Sequence, residues 1–243
     1  MRNKIRLAVV LAGGALVLGG CTDILGDRII DGRGPVVYES RPVGSFTAIS
    51  NSTNVDVEIL YASNDRVWVR AEESLIPYIR THVRNGVLRI YTDDVTLRPR
   101  QEMVVEVDVR MLRRIDSSGS GFIFGDLLNA DRLEVNTSGS GDINLPSLLA
   151  DSLIVFSSGA GDVTASGDVE RLRLSMSASG RVNTEELNAF EADAAISGSG
   201  NATIRVRDYL RAVLSGSGNL RYYGSPAVDE TVTGTGRVER LGS

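Results

Sequence analysis

A short motif of serine and glycine recurs at a nearly constant spacing through the second half of the chain. The last glycine of each copy stands at position 121, 141, 161, 180, 200, 218 or 236, so consecutive copies are 20, 20, 19, 20, 18 and 18 residues apart. A fixed period of this length is typical of solenoids, in which each repeat forms one turn and packs on its neighbours. The repeat therefore predicts a single domain of stacked turns.

The residues between the motifs alternate between apolar and polar. In one repeat Leu172, Leu174 and Met176 interleave with Arg171 and Arg173, and a period of two is typical of a β-strand. Continuing this phase into the motif places the glycines on the apolar side and the serines on the charged side. We therefore expect glycines to line the inside, where the backbones of neighbouring turns approach closely, and hydroxyls to line the outside.

The outward serines are expected to form two columns, because neighbouring strands of a parallel sheet lie about 4.8 Å apart. A flexible serine-glycine linker is the alternative, but linkers do not carry phased leucine and valine. We treat the columns as a candidate binding face. The first column comprises Ser118, Ser138, Ser158, Ser177, Ser197 and Ser215, and the second comprises Ser120, Ser140, Ser179, Ser199 and Ser217.

Residues 1–20 have the features of a signal peptide. Arg2, Lys4 and Arg6 form a basic start, and the apolar run 7–18 is too short to span a bilayer. We expect this segment to be removed from the mature protein.

The sequence Leu18-Gly19-Gly20-Cys21 resembles the lipobox of bacterial lipoproteins, in which the cysteine is lipidated and becomes the first residue of the mature chain. Cys21 is the only cysteine. Two or three acyl chains, such as palmitate, anchor a protein stably where a single chain is marginal. The resemblance implies a cell-envelope lipoprotein held in the membrane through Cys21, and Thr22 after the cysteine favours the outer membrane in a cell that has one. The alternative is an ordinary secretory signal with an incidental cysteine.

The charge of the mature chain excludes some partners. Of 26 basic residues, three lie in residues 1–20, which leaves 23 against 31 acidic residues and a net charge of about −8. This charge argues against nucleic acid as a partner. With Cys21 as the sole cysteine, the folded part has no disulfide and no cysteine-ligated metal. We expect no cofactor.

The first half of the chain is organised differently. Residues 21–35 contain little periodicity and are predicted to be a tether, and residues 36–243 a single β-helix domain. Residues 49–55 look like a degenerate copy of residues 196–202, which predicts an atypical first turn. Residues 58–115 interrupt the period and are predicted to form an inserted sheet that caps the open strand edges of the solenoid.

Local patterns assign the elements of this insertion. We predict a strand at 67–71, a short helix at 72–80 and a hairpin at 81–90 that turns at Asn85-Gly86, the dipeptide favoured in two-residue turns. Residues 103–109 alternate again and predict a further strand.

Taken together, these elements resemble one bacterial family, the "putative auto-transporter adhesin, head GIN domain" family of envelope proteins of unknown function. The resemblance implies an all-β, right-handed parallel β-helix with a β-rich N-terminal part. It implies no catalytic or binding residues. The last copy of the motif departs from the pattern, because threonine replaces serine at 233 and 235. The resemblance depends on Phe46, Ile49, the strand 55–59, Trp68-Val69, the hairpin residues Thr81, Val83, Gly86, Leu88 and Ile90, and the Ser-Gly-Ser-Gly-Asp repeats.

Asp142 and Asp162 are the candidate catalytic residues. Each follows a Gly-x-Gly motif, one turn apart, and about 5 Å between carboxylates is the spacing of a retaining glycosidase. The structural alternative is a turn position, since the column continues as Arg181, Asn201 and Asn219 and such residues cap turns. The Gly-x-Gly-Asp string also resembles calcium-binding nonapeptide repeats, but the period here is about twenty rather than nine, so we expect no metal site.

Three functions remain open at this point. The first is a structural, adhesive or binding module of the envelope with a glycan or protein partner, the second is an enzyme acting on polysaccharide, and the third is a signalling or stress-related lipoprotein. We expect a non-enzyme, because His82, the single histidine, has no motif around it. Trp68 and Tyr222-Tyr223 are interpreted as packing residues rather than sugar platforms.

Overall fold

The computed structural model describes residues 28–242. The predicted signal peptide and Cys21 lie outside these residues. The strands are β1 (Arg28–Asp31), β2 (Val36–Arg41), β3 (Ala48–Asn51), β4 (Asp56–Tyr61), β5 (Arg66–Glu72), β6 (Arg80–Arg84), β7 (Val87–Tyr91), β8 (Val95–Arg98), β9 (Val104–Val109), β10 (Arg114–Ser117), β11 (Ile123–Asp126), β12 (Leu128–Thr137), β13 (Ile143–Ser157), β14 (Val163–Met176), β15 (Arg181–Ile196), β16 (Asn201–Leu214), β17 (Leu220–Tyr223), β18 (Ala227–Val232) and β19 (Val238–Gly242).

From β10 onward the strands stack in parallel, one repeat apart. Val135 pairs with Ile115 on one side and with Val155 on the other, and Val155 pairs with Leu174. The predicted parallel β-solenoid is confirmed, with about six turns. No helix in the described part of the chain is long and apolar enough to cross a membrane.

Each turn contains three strand segments. The Ser-Gly motif separates the first from the second, and a register shift between Leu145 and Leu148 separates the second from the third. We call the outward side of the first segments face 1. Its strands are residues 132–137, 152–157, 171–176, 191–196 and 209–214.

The predicted direction of the side chains in the repeat is confirmed. Leu133 and Val135 are fully buried, Gly141 is buried, and Ser138 and Ser140 are exposed. At Gly139 a β-carbon would collide with the carbonyl oxygen of Gly119 on the neighbouring turn. Glycine is therefore required at this corner because two backbones touch there.

One interior column changes from polar to apolar along the solenoid. It begins with Asn51, which is fully buried and accepts hydrogen bonds from the backbone N–H and the hydroxyl of Thr53, at 3.1 and 2.8 Å. The next members are buried hydroxyl residues and the last are apolar. In order they are Asn51, Ser117, Thr137, Ser157, Met176, Ile196 and Leu214.

Replacing Thr137 by valine is expected to stabilise the protein by about 1 kcal/mol, because a buried hydroxyl without a partner keeps its desolvation cost. The Oγ1 atom of Thr137 is buried and has no hydrogen-bond partner in the described region. Thr164→Val, at an exposed position, is the control and should change the free energy of unfolding by less than about 0.5 kcal/mol. Urea denaturation measures both, and a less stable Thr137→Val variant would show that the hydroxyl is bonded.

The predicted first turn is confirmed, but its register differs. Asn51, not Ile49, is aligned with Ser117 and hence with Ile196 of the later turn. Because side chains alternate with a period of two, a shift of two residues in the alignment leaves the same side chains pointing inward. Thr53 and Val55 occupy the positions that carry glycine in later turns, and the side chain of Asn51 packs into the same corner.

A further turn stacks on the first one at the end of the solenoid, although its residues come later in the chain. Strand β7 pairs in parallel with β3, and β9 pairs in parallel with β4. The chain then passes back across the first turn, so that β3 lies between β7 and β10. Residues 58–115 therefore supply a parallel turn as well as the predicted cap.

Antiparallel strands cover this end, in agreement with the predicted capping role. Strand β6 pairs with β7, and β5 pairs with both β9 and β2. The predicted hairpin is confirmed, with Asn85 and Gly86 at φ of 54° and 74°, as a two-residue turn of this kind requires.

Two local predictions at this end are wrong. Residues 72–80 contain a single 3-10 turn, Ile76–Tyr78, because Glu72 still belongs to β5, Arg80 already begins β6, and Pro77 has no backbone N–H with which to continue an α-helix. The tether predicted at 21–35 contains strand β1, which pairs in parallel with β8. This pairing covers the one strand of the outer turn that would otherwise have a free edge.

Candidate functional site

The predicted serine columns are exposed over their whole length. In-register pairing of the preceding residues, Thr137 with Ser157 and Ser157 with Met176, places the serines of the first column on successive turns, whereas Ala160 interrupts the second column. The hydroxyls of Ser158 and Ser197 donate to carbonyl oxygens of the neighbouring turn, both at 3.3 Å. The exposed members are Ser118, Ser138, Ser158, Ser177, Ser197, Ser215, Ser120, Ser140, Ser179, Ser199 and Ser217.

Asp142 and Asp162 lie on adjacent turns, and both hold the corner of the solenoid together. Oδ1 of Asp142 accepts the backbone N–H of Asp162 at 2.8 Å, and Oδ1 of Asp162 accepts that of Arg181 at 2.8 Å. Asp162 Oδ2 also pairs with the guanidinium of Arg181 at 3.2 Å. The same bond recurs where Asn201 accepts the N–H of Asn219. The two carboxylates thus form part of a ladder that ties each turn to the next.

Asp56 begins this ladder in a more buried setting. Its Oδ1 accepts the N–H of Phe122 at 2.7 Å. Burial raises the pKa of Asp56 above its usual range, the Phe122 N–H acts in the opposite direction, and the negative charge of Glu102 raises the pKa further.

The raised pKa of Asp56 predicts a loss of stability as the pH rises. The folded state binds the proton more tightly than the unfolded state does, so the free energy of unfolding falls between the ordinary aspartate pKa, about 3.9, and the higher folded value. Asp56→Asn keeps an oxygen that can accept the Phe122 N–H. We expect it to be more stable than the unsubstituted protein at pH 7 and equally stable below about pH 3.9. Denaturation at both pH values checks this, and a variant that is less stable at pH 7 would contradict it.

The rings of His82, Trp68 and Tyr223 each contact another side chain of the protein. The ring of His82 packs edge-on against Tyr91 with 5.4 Å between centroids. Guanidinium groups lie over one face of Trp68, at 5.1 Å from its ring centroid, and over one face of Tyr223, at 5.0 Å. Within residues 28–242, no group of three or more histidine, cysteine, aspartate or glutamate side chains could hold a metal ion.

Sequence reasoning missed the arginine-rich depression on face 1. This depression has a volume of about 420 Å³ and is lined by Arg132, Arg171, Arg173 and Arg211, together with Tyr209 and other residues. Arg132 also lines a second depression of about 520 Å³, which reaches Arg114 and the hairpin turn. Both lie along the outer side of the strands.

The sequence matches one family model over residues 45–226, that of the "putative auto-transporter adhesin, head GIN domain". The match covers well over half of the chain. This protein belongs to that family. The resemblance inferred from the repeats is therefore confirmed. All residues that line the arginine-rich depression lie within the matched head GIN domain.

Solved structures share the fold of this head GIN domain. A putative adhesin from Bacteroides fragilis has a TM-score of 0.83 at 22% identity, covering 87% of this chain and 100% of its own. A putative lipid binding protein from Parabacteroides distasonis has a TM-score of 0.73 at 22% identity, covering 88% and 100%. A putative adhesin from Parabacteroides merdae has a TM-score of 0.69 at 22% identity, covering 88% and 99%. At this identity the likeness shows the fold alone. No curated protein matches the chain.

Proposed function

We propose that this head GIN domain is a lipid-anchored, non-enzymatic binding module of the cell envelope, which contacts an envelope glycan or a protein partner with the outer surface of its solenoid. The observation that carries the proposal is that Asp142 and Asp162, the carboxylates suited to hydrolysis, accept backbone N–H groups of the next turn at 2.8 Å. What remains exposed is a regular array of hydroxyl and charged side chains. Membership of a family named for adhesins supports the same reading.

The binding role is tested by capturing envelope polymers from fractionated cells with the intact purified protein. A triple variant, Ser118→Ala, Ser138→Ala and Ser177→Ala, removes three hydroxyls from the first exposed column and keeps Ser158, whose hydroxyl donates to the neighbouring turn. We expect unchanged thermal stability and weaker capture if that column contacts the partner. Failure of the unsubstituted protein to retain any envelope component would contradict the proposed function.

The lipid anchor is supported by the single cysteine behind a signal-type segment. Intact mass should show Cys21 carrying acyl chains, and Cys21→Ser should move the protein from the membrane fraction to the soluble fraction, because the loss of the acyl chains removes stable anchoring. Anchoring in the outer membrane follows from Thr22 and is tested by separating the two membranes on a density gradient. Membrane association that survives Cys21→Ser would contradict the anchor.

A polysaccharide-acting enzyme is the second candidate, since Asp142 and Asp162 do lie on adjacent turns and near one another. If this candidate is right, Asp142→Asn abolishes glycan cleavage while the ladder bond, which an amide oxygen can also accept, is kept. Cleavage that is absent in the unsubstituted protein, or unchanged in the variant, favours the binding module.

A further inference from the structure

Four outward arginines on face 1 are arranged in two neighbouring columns. Arg132 and Arg171 occupy one column, separated by Ser152, and Arg173 and Arg211 occupy the next, separated by Asp193. Two turns of a parallel sheet span about 10 Å. In each column the two arginines therefore lie two turns, or about 10 Å, apart.

These guanidinium groups are available to a ligand. Arg132 pairs with Glu134 at 3.6 Å, Arg171 with Glu191 at 3.8 Å and Arg173 with Asp193 at 3.6 Å, and these arginine side chains are 63%, 67% and 63% exposed. Exposed pairs of this length contribute little and exchange readily with other partners. Arg211 forms no salt bridge with any residue in the described range, although it lines the same depression.

The arginine-rich depression is an elongated groove. Its lining residues come from five successive turns, from Arg132 to Tyr209 and Arg211, and it shares Arg132 with the second depression. Because successive turns carry the lining residues, the groove runs across the strands and along the axis of the solenoid. A linear polymer fits such a groove, with one sugar unit advancing by roughly one turn.

We propose that this groove binds an acidic polysaccharide that carries a carboxylate on every second sugar. Arg132 and Arg171 in one column, and Arg173 and Arg211 in the other, bind successive carboxylates, for which a guanidinium is the matching fork-shaped donor. The proposal rests on the binding role given above and names the ligand and the site for it.

The surrounding side chains favour a carbohydrate over a membrane surface or a phosphate polymer. Glu191 and Asp193 lie among the arginines, where they can accept hydrogen bonds from sugar hydroxyls but repel densely spaced phosphates. Tyr209 is 40% exposed beside them, so part of its side chain is accessible to a sugar. The mature chain as a whole is acidic, so an extended anionic surface such as a membrane would repel it. The groove is a local positive site on this acidic protein.

The test measures binding of the intact protein to three probes by biolayer interferometry. The probes are hyaluronan, which carries a carboxylate on every second sugar, polygalacturonate, which carries one on every sugar, and neutral dextran. We expect binding to hyaluronan that is stronger than to polygalacturonate, that weakens as salt is added, and that is absent for dextran. The double variant Arg171→Gln/Arg211→Gln should weaken hyaluronan binding at least tenfold.

The matched control is Arg181→Gln/Arg221→Gln. This control removes the same amount of charge from two exposed arginines that lie off face 1, and each substitution also removes one salt bridge. It should change hyaluronan binding less than twofold. Equal weakening by both double variants, or no binding of hyaluronan, would overturn the assignment. So would arginine-dependent binding to phosphatidylglycerol vesicles without hyaluronan binding. Capture of an envelope polymer that is insensitive to Arg171 and Arg211 would overturn this site and leave the proposed function standing.

Discussion

Gly159→Ala is expected to destabilise the protein by on the order of 3 kcal/mol or more, enough to prevent folding in a domain of ordinary stability. A β-carbon at Gly159 would collide with the carbonyl oxygen of Gly139 on the neighbouring turn. That oxygen accepts the N–H groups of Ala160 at 3.0 Å and Gly161 at 3.3 Å. It therefore cannot move aside without breaking the bonds that join the two turns.

Gly44→Ala is the control for this substitution, because nothing lies within 4 Å of a β-carbon built at Gly44. Its free energy of unfolding should stay within about 0.5 kcal/mol of the unsubstituted protein. Urea denaturation followed by circular dichroism compares the two variants. Similar stability of Gly159→Ala and Gly44→Ala would mean that the Ser-Gly corners are not closely packed.

Glu72→Ala is the second substitution with a large expected effect, a loss of about 2–4 kcal/mol. Glu72 is 3% exposed, and its Oε2 accepts the backbone N–H groups of Arg100 at 2.8 Å and Gln101 at 3.4 Å. The carboxylate also packs against Gly32, where a β-carbon would collide with it. The side chain thus joins β5 to the loop after β8 and to the segment that follows β1, and alanine would remove the acceptor of both N–H groups and the contact with Gly32.

Two further variants separate hydrogen bonding from simple loss of a side chain. Glu72→Gln keeps a carbonyl oxygen as an acceptor, so its loss should be smaller than that of Glu72→Ala. Glu58→Ala removes an exposed carboxylate and should cost less than about 0.5 kcal/mol. Thermal and urea denaturation rank the three, and a Glu72→Ala variant as stable as Glu58→Ala would contradict the role of this carboxylate.

The parts of the fold that follow from local geometry could be predicted from the sequence. The strict alternation around Leu172 and Leu174 determines which side chains point inward, and that phase extends through the motif to glycines such as Gly159. Asn85-Gly86 likewise adopts the positive φ angles that its turn requires. In both cases the determining interactions lie within a few residues or one repeat.

The parts that depend on distant pairing could not be predicted. Nothing in β7 or β9 indicates that they stack outside the first turn, because parallel pairing leaves no local mark on either strand. Strand β1 was missed for the same reason. The predicted helix at 72–80 failed because Glu72 pairs with β2 and Arg80 with β7, as the ends of β5 and β6, which leaves only a 3-10 turn containing Pro77 between them.

The candidate sites divide in the same way. The exposure of the serine columns follows from the alternation of inward and outward side chains alone, and it was predicted. The arginine-rich groove requires the exact partners of each turn, since Arg132 and Arg171 are brought into one column by repeats of 20 and 19 residues. The alternation of apolar and polar residues showed that these arginines point outward. Only the pairing of residues between neighbouring strands shows that they lie in one column.

The most direct test of the stacking is a pulsed electron paramagnetic resonance measurement of the distance between spin labels on the first serine column. Labels are placed on cysteines at positions 138 and 215, or at 118 and 233, in a Cys21→Ser background; Thr233 continues the first column on the last turn. At about 4.8 Å per turn, the four-turn pair should lie about 19 Å apart and the six-turn pair about 29 Å apart, both with narrow distributions once the label length is included. Broad distributions, or separations that do not increase with the number of turns, would contradict an in-register solenoid with inward glycines.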